Sequence, residues 1–267
     1  MKIFVVSTGR CGTVFMSEVF SKLTTVPSFH EPRPHCAGET MRFVNDTEGK
    51  QYPVAVRREL ADKIKQVKAD SVDGHYFESS QMFVKAYARF VFKAFENVAL
   101  IYLHRNPIEV TMSYYKKKLG QPKQYNYWHL QSHWSQNILR MAEPQGLYAD
   151  IFWECLEIKE RFLALKAMAA KTFVMDFKRL NDVGAWKALF KHLNVPHRPF
   201  KALPDVNKNA VEGDTLKTLN GLLSIWDEPG ADAPPATAHY DRLATFIDFG
   251  QKTIAKTQRG NNAQILG

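Results

Sequence analysis

The sequence predicts a single α/β domain whose central, mostly parallel sheet is flanked by helices, with a helical insert and a helical C-terminal tail. Three observations carry this expectation. Short apolar runs alternate with segments of helical period, the pattern of strand–helix–strand crossovers. The clearest runs are continuously apolar, as in parallel strands covered on both faces. No internal repeat, low-complexity block or convincing linker divides the 267 residues, a length that one large domain can fill.

The elements follow in order. Residues 2–6 form a β-rich run, and apolar positions 15, 16, 19, 20 and 23 mark a helix over 13–23. A second strand is expected over 26–31, stopped by Pro32 and Pro34. Residues 35–52 are polar and turn-rich, 54–67 amphipathic and helical, 72–78 a strand and 81–95 a helix. Residues 98–103 are the clearest buried strand; they run into Arg105 and then a helix that Pro107 opens at a favoured first position. An aromatic, histidine-rich helical segment is expected over 125–141 and a long helix over 149–170, so the insert spans about 120–170. A last strand at 172–176 and a helix at 181–193 precede a loop over 196–205. One or two more helices surround a Pro/Ala-rich break at 228–237, the domain closes near 257, and 258–267 reads as a flexible tail.

Composition narrows the function only slightly. Thirty-six Lys+Arg against 27 Asp+Glu give a net charge of +9, which suits an anionic ligand. Cys11, Cys36 and Cys155 are widely spaced and odd in number, so free thiols in a reducing compartment are expected. The N-terminus offers no signal-peptide pattern and no stretch approaches the ~20 apolar residues of a spanning helix, so a cytoplasmic protein is expected. Oligomeric state leaves no mark.

Two stretches carry the chemistry. The strand at 2–6 leads through Ser7-Thr8-Gly9-Arg10-Cys11-Gly12-Thr13 into a helix. Glycines let backbone approach an anion, and the free N–H groups of the helix start point at it. Arg10 adds a planar, charged fork and Thr13 a hydroxyl. The common Gly-Lys-Ser/Thr ending is missing. The second stretch places Arg105 at the C-terminal end of a strand, where α/β sheets bind ligands, and Ser113 eight residues later in the following helix.

Together the two stretches resemble the sulfotransferases that use 3′-phosphoadenosine 5′-phosphosulfate (PAPS). In that family a Lys/Arg-Ser-Gly-Thr-Thr loop after the first strand holds the 5′-phosphosulfate, and an Arg with a Ser eight residues on holds the 3′-phosphate. Arg10-Cys11-Gly12-Thr13-Val14 and the pair Arg105 and Ser113 match these, with Cys11 in place of the Ser and Val14 in place of the second Thr. The resemblance is firm over 1–32 and 96–118. It implies a P-loop nucleoside-kinase-like sheet, PAPS as donor with adenosine 3′,5′-bisphosphate (PAP) as product, and no metal. Ser7, Gly9, Arg10, Cys11, Gly12, Thr13 and Val14 would line the donor loop, with Arg10 also catalytic, and Lys208 in "VNKNA" would sit on a late basic loop over the cofactor. Carbohydrate-modifying and some bacterial members similarly place a Glu-Pro after the second strand, which makes Glu31 the first choice of base. His30, His35, His75 and Glu78 compete with it.

The aromatics of 125–137 could wall an acceptor pocket or simply pack on the core, and Lys116, Lys117 and Lys118 suit a solvated helix end. The acceptor could be a small molecule, a glycan or a lipid. Two other functions are weighed. A P-loop small-molecule or nucleotide kinase would need the missing Gly-Lys-Ser/Thr. A non-catalytic polyanion-binding protein would show a basic stripe with interleaved aromatics, whereas the basic residues here are scattered, so no nucleic-acid partner is expected.

Overall fold

The computed structural model describes residues 1–46, 51–116, 127–140 and 147–205. Five parallel strands form one sheet in the order β2-β3-β1-β4-β5. They are β1 (Lys2–Val6), β2 (Ser28–Phe29), β3 (Tyr76–Glu78), β4 (Val98–His104) and β5 (Lys171–Asp176). The chain leaves β1 for one edge, returns to β3, then crosses to β4 on the other side of β1. Strand order therefore switches at the C-terminal end of β1, where open α/β sheets form a crevice.

Alternate side chains of the two central strands enter two cores. Ile3, Val5, Ala99, Ile101 and Leu103 face one, with α1 (Thr13–Leu23) and the late helix Val183–Leu193. Phe4, Val6, Val98, Leu100 and Tyr102 face the other. That second layer holds α2 (Glu39–Asp46), α3 (Val54–Ala69), a π-turn at Phe83–Tyr87 running into α4 (Ala88–Ala94), and the long helix Leu147–Lys166. Helix α5 (Pro107–Lys116) follows β4; the long helix is α6 and the late one α7. Ring stacking fills both layers: Phe20 lies on Phe77 with centroids 3.8 Å apart, and Phe4 on Phe83 at 4.3 Å. Each fully buried aromatic or branched side chain of this kind contributes on the order of 1.5–3 kcal/mol.

The α/β architecture matches the sequence reading, and four local expectations need correction. β2 is two residues long rather than 26–31, because the backbone turns at Glu31 (φ 45) before Pro32. β3 starts at Tyr76 and not 72, because Asp73 (φ 49) and Gly74 (φ 75) make a turn that pairs Val72 with His75. The polar stretch 35–52 contains α2, which buries Met41 and Val44 under an otherwise polar face. Residues 127–140, expected within a helix, are mostly turns that lie on α6: Glu157 accepts from the Ile138 and Leu139 amides at 3.0 and 2.7 Å. The end of the domain, the C-terminal helices and the 258–267 tail lie outside the described residues. Among the described residues no helix is long and apolar enough to cross a membrane.

Candidate functional site

Loop 7–13 leaves β1 at the strand-order switch. Gly12 is the N-cap of α1 in a left-handed conformation (φ 87), and Arg10 also has positive φ (65). A Cβ on Gly12 would lie 2.6 Å from Leu180 Cδ1, so a side chain there would have to displace Leu180 as well as strain the backbone. The Gly12 carbonyl accepts from Met16 N at 3.1 Å, while the amides of the first helical turn have no intrahelical acceptor. No acidic residue occupies that turn to compete for an anion.

β4 delivers the second clamp to the same edge. Val6 is level with Tyr102, so Arg105 rises beside the loop. Asn106 Oδ1 accepts from Ile108 N at 2.9 Å and shapes the start of α5. The two motifs meet directly: Arg10 Nε donates to Ser113 Oγ at 3.2 Å, and Arg105 Nη1 donates to the Arg10 carbonyl at 2.7 Å. The Arg105 guanidinium lies 4.1 Å from the Phe177 ring centroid and pairs with Glu109 at 3.4 Å. Ring and carboxylate fix the fork's orientation, and neither was singled out from sequence.

The remaining predicted loop residues divide by direction. Cys11 is 1% exposed and belongs to the core beneath the loop, with Sγ 3.1 Å from Thr8 Oγ1. Burial raises its thiol pKa, so it is an inert packed group there. Val14, at 41%, faces outward from the first turn of α1. Thr13 is buried, and the buried Ser7 Oγ has no hydrogen-bond partner among the described residues. Lys208, Lys117 and Lys118 lie outside the described residues.

Register sorts the candidate bases. Phe29 is level with Glu78, which is level with Phe4, so Glu31 sits at the height of the loop two strands away. His30, next to it, has Nδ1 2.9 Å from the Ser79 carbonyl, and Ser79 Oγ donates to the Thr13 carbonyl at 2.8 Å. Ser79 thus ties the end of β2 to the start of α1. Glu78 is fully buried; Oε2 pairs with Lys63 Nζ at 3.0 Å and accepts from Tyr76 Oη at 2.5 Å, and Oε1 accepts from Tyr87 Oη. Both oxygens are engaged inside the second core, and burial with this carboxylate raises the pKa of both tyrosines. His75 stands at the opposite end of β3, beside Met1 and Gly74. His35 lies edge-on to Trp128, centroids 5.6 Å apart.

The start of the aromatic insert closes over the segment after Glu31. Gly38 N donates to the Tyr127 carbonyl at 2.9 Å, and the Trp128 carbonyl accepts from buried Lys85 at 2.9 Å. Lys85 also pairs with Glu154, whose other oxygen lies 2.5 Å from His129 Nδ1. Burial opposes ionisation of Glu154, but Lys85 and His129 prevail and hold its pKa at about 2.

The sulfotransferase domain family model matches residues 1–181. Among solved structures, the chain is similar to the sulfotransferase domain from the Synechococcus PCC 7002 olefin synthase, at 14% identity and a TM-score of 0.40, covering 92% of this chain and 94% of that one. It is also similar to sulfotransferase STF9 from Mycobacterium avium, at 12% identity and a TM-score of 0.41, covering 93% of this chain and 76% of that one. No match was found among curated proteins. The family match spans loop 7–13, Glu31 and both residues of the Arg105–Ser113 clamp, and on its extent, residues 1–181 of 267, the chain belongs to the sulfotransferase domain family.

Proposed function

We propose that the protein transfers the sulfuryl group of PAPS to a hydroxyl or amine of an acceptor. The observation that carries this reading is the meeting of the clamps, Arg10 on Ser113 and Arg105 on the Arg10 carbonyl, at the strand-order switch. The donor set suits two separate phosphate groups. Arg10, Thr13, Ser7 and the amides from Gly9 to Val14 would hold the 5′-phosphosulfate, with Gly12 leaving room for the Leu180 side chain packed behind the loop. Arg105 and Ser113 would hold the 3′-phosphate, and Lys208 would add charge from the late loop. The sheet order, with this loop after the central strand, also fits a P-loop nucleoside-kinase-like ancestry.

When bound, PAPS supplies an activated sulfuryl group with PAP as its leaving part. Arg10 and the helix-start amides provide preorganised positive charge where negative charge grows on the leaving phosphate. Glu31 takes the proton from the acceptor's oxygen or nitrogen. It follows β2, which lies two strand spacings, roughly 10 Å, from β1 and its loop. The insert start at 127–129, closed over residues 35–38, would form a wall of the acceptor pocket. The reading involves no metal.

Thermal denaturation with added PAP, without magnesium, tests this directly. PAP should raise the melting temperature of the wild type and raise that of Arg105→Ala much less. Stabilisation by ATP and magnesium but not by PAP would point to a kinase and end this reading.

A further inference from the structure

Behind the 7–13 loop lies a circuit of contacts that the two clamps do not use. A Cβ added to Gly9 would lie 2.1 Å from the Tyr114 hydroxyl and 3.2 Å from Gln81 Oε1. Gln81 Oε1 accepts from Lys85 Nζ at 2.9 Å, and Lys85 pairs with Glu154. Glu154 Oε2 meets His129 Nδ1 at 2.5 Å, and the His129 ring stands edge-on to Tyr114 with centroids 5.1 Å apart. The circuit's two ends, Gln81 and Tyr114, both border the space that a side chain on Gly9 would need. Its members come from the loop, the π-turn region, α6, the insert and α5. Lys85, Glu154, His129 and Tyr114 are each at most 7% exposed. A buried polar network is stabilising only when its members are satisfied together, so movement of one is resisted by the rest.

Tyr114 follows Ser113 in the chain. One turn of α5 therefore holds the loop twice, through Arg10 at Ser113 and through Gly9 at Tyr114. Gly9 is outside the left-handed region, unlike Gly12, so what it must supply is space and not backbone freedom. We propose that Tyr114 is a positioning residue for the donor loop: its hydroxyl seats Gly9, and the Gln81–Lys85–Glu154–His129 circuit keeps tyrosine and loop in register with the insert. This rests on the reading of the loop as the donor site.

The geometry predicts a specific rescue. Without the Tyr114 hydroxyl, the nearest atoms to a Cβ on Gly9 are the ring carbon Cζ at 3.4 Å, an ordinary contact, and Gln81 Oε1 at 3.2 Å, a tight one that the end of the Gln81 side chain relieves by giving a few tenths of an ångström. Gly9→Ala should weaken PAP binding by about tenfold or more and raise the KM for PAPS in step. The double variant Gly9→Ala/Tyr114→Phe should recover most of that loss, to the level of Tyr114→Phe alone. Melting temperatures of the unliganded proteins give an independent arm: Gly9→Ala should lose several degrees and the double variant should regain them. If Gly9→Ala does not fold, recovery of a folded double variant is the same rescue. A double variant no better than Gly9→Ala in either arm overturns the proposal, and so does rescue of melting without rescue of PAP affinity. Rescue of melting in a protein whose wild type ignores PAP would leave the seating of the loop intact and sink the PAPS reading instead.

Discussion

Residues 7–13 and 105–113 each build a clamp within one strand–turn–helix stretch, whereas the ground beside them is assembled from pieces far apart in the chain. On the proposed donor side, β1 and β4 deliver Arg10 and Arg105 to adjacent places at one sheet edge, and two hydrogen bonds join them. On the proposed acceptor side, His35 and Gly38 meet Tyr127 and Trp128, and what holds them is a buried ion pair between a π-turn and α6. Local grammar positions phosphate-binding groups because backbone amides and strand ends do the work. Acceptor recognition has no such grammar, since its walls are side chains gathered by packing.

The largest effect that would sharpen this contrast is at Glu31. Glu31→Gln should lower kcat by about 10²- to 10⁴-fold while PAP still raises the melting temperature as in the wild type. Turnover that survives the change would move the base to His30 or His35. Glu78 is not the next choice, because both its oxygens are engaged among Lys63, Tyr76 and Tyr87.

Breaking the acceptor side's support should show in stability before it shows in chemistry. Glu154→Gln leaves Lys85 buried without its counter-charge, and loss of one partner of such a pair costs about 3–5 kcal/mol. The pH dependence follows from the same pair. The Glu154 pKa is about 2 in the folded protein, below the ordinary glutamate value of 4.5. Its contribution is therefore complete above about pH 4.5 and is lost as pH falls from there through about 2. Acid denaturation followed by circular dichroism should be steeper over that interval for the wild type than for Glu154→Gln.

Arg105 tests the donor side at a middle scale. Charge-assisted hydrogen bonds contribute about 1.5–3 kcal/mol, so Arg105→Ala should weaken PAP binding by roughly 10- to 150-fold by calorimetry. Arg105→Lys keeps the charge but loses the fork that reaches the Arg10 carbonyl and lies over Phe177, and it should recover only part of the loss.

The sheet and its order of elements were legible because apolar runs and helical stripes report burial directly. Ile3 and Phe4 enter opposite cores, yet both read simply as strand. Arg10, Arg105 and Ser113 could be picked out because their spacing along the chain decides where they meet. Helix α2 was not legible, since only Met41 and Val44 mark its buried face among polar neighbours. Nor was the turn-built course of 127–140, whose aromatic and polar mixture suits a helix as well as a loop held by Glu157 and Glu154. The circuit through Gln81, Lys85 and Tyr114 depends on contacts between five segments, and no single window of sequence contains it.

Two departures from the family loop, Cys11 and Val14, separate side-chain contact from backbone support at the smallest scale. Both replace hydroxyl residues, so sequence alone treats them as two equal losses. In the structure they differ. Val14 faces outward at the helix start, where a hydroxyl could reach a bound anion, whereas Cys11 points into the core toward Thr8. Val14→Thr should tighten PAP binding a few-fold, the equivalent of a hydrogen bond worth about 0.5–1.5 kcal/mol. Cys11→Ser should bring no such gain, because a hydroxyl there points away from the anion and toward Thr8 Oγ1. If Cys11→Ser tightened PAP binding and Val14→Thr did not, the outward and inward faces of the loop would have to be exchanged, and with them the assignment of the first helical turn to the donor.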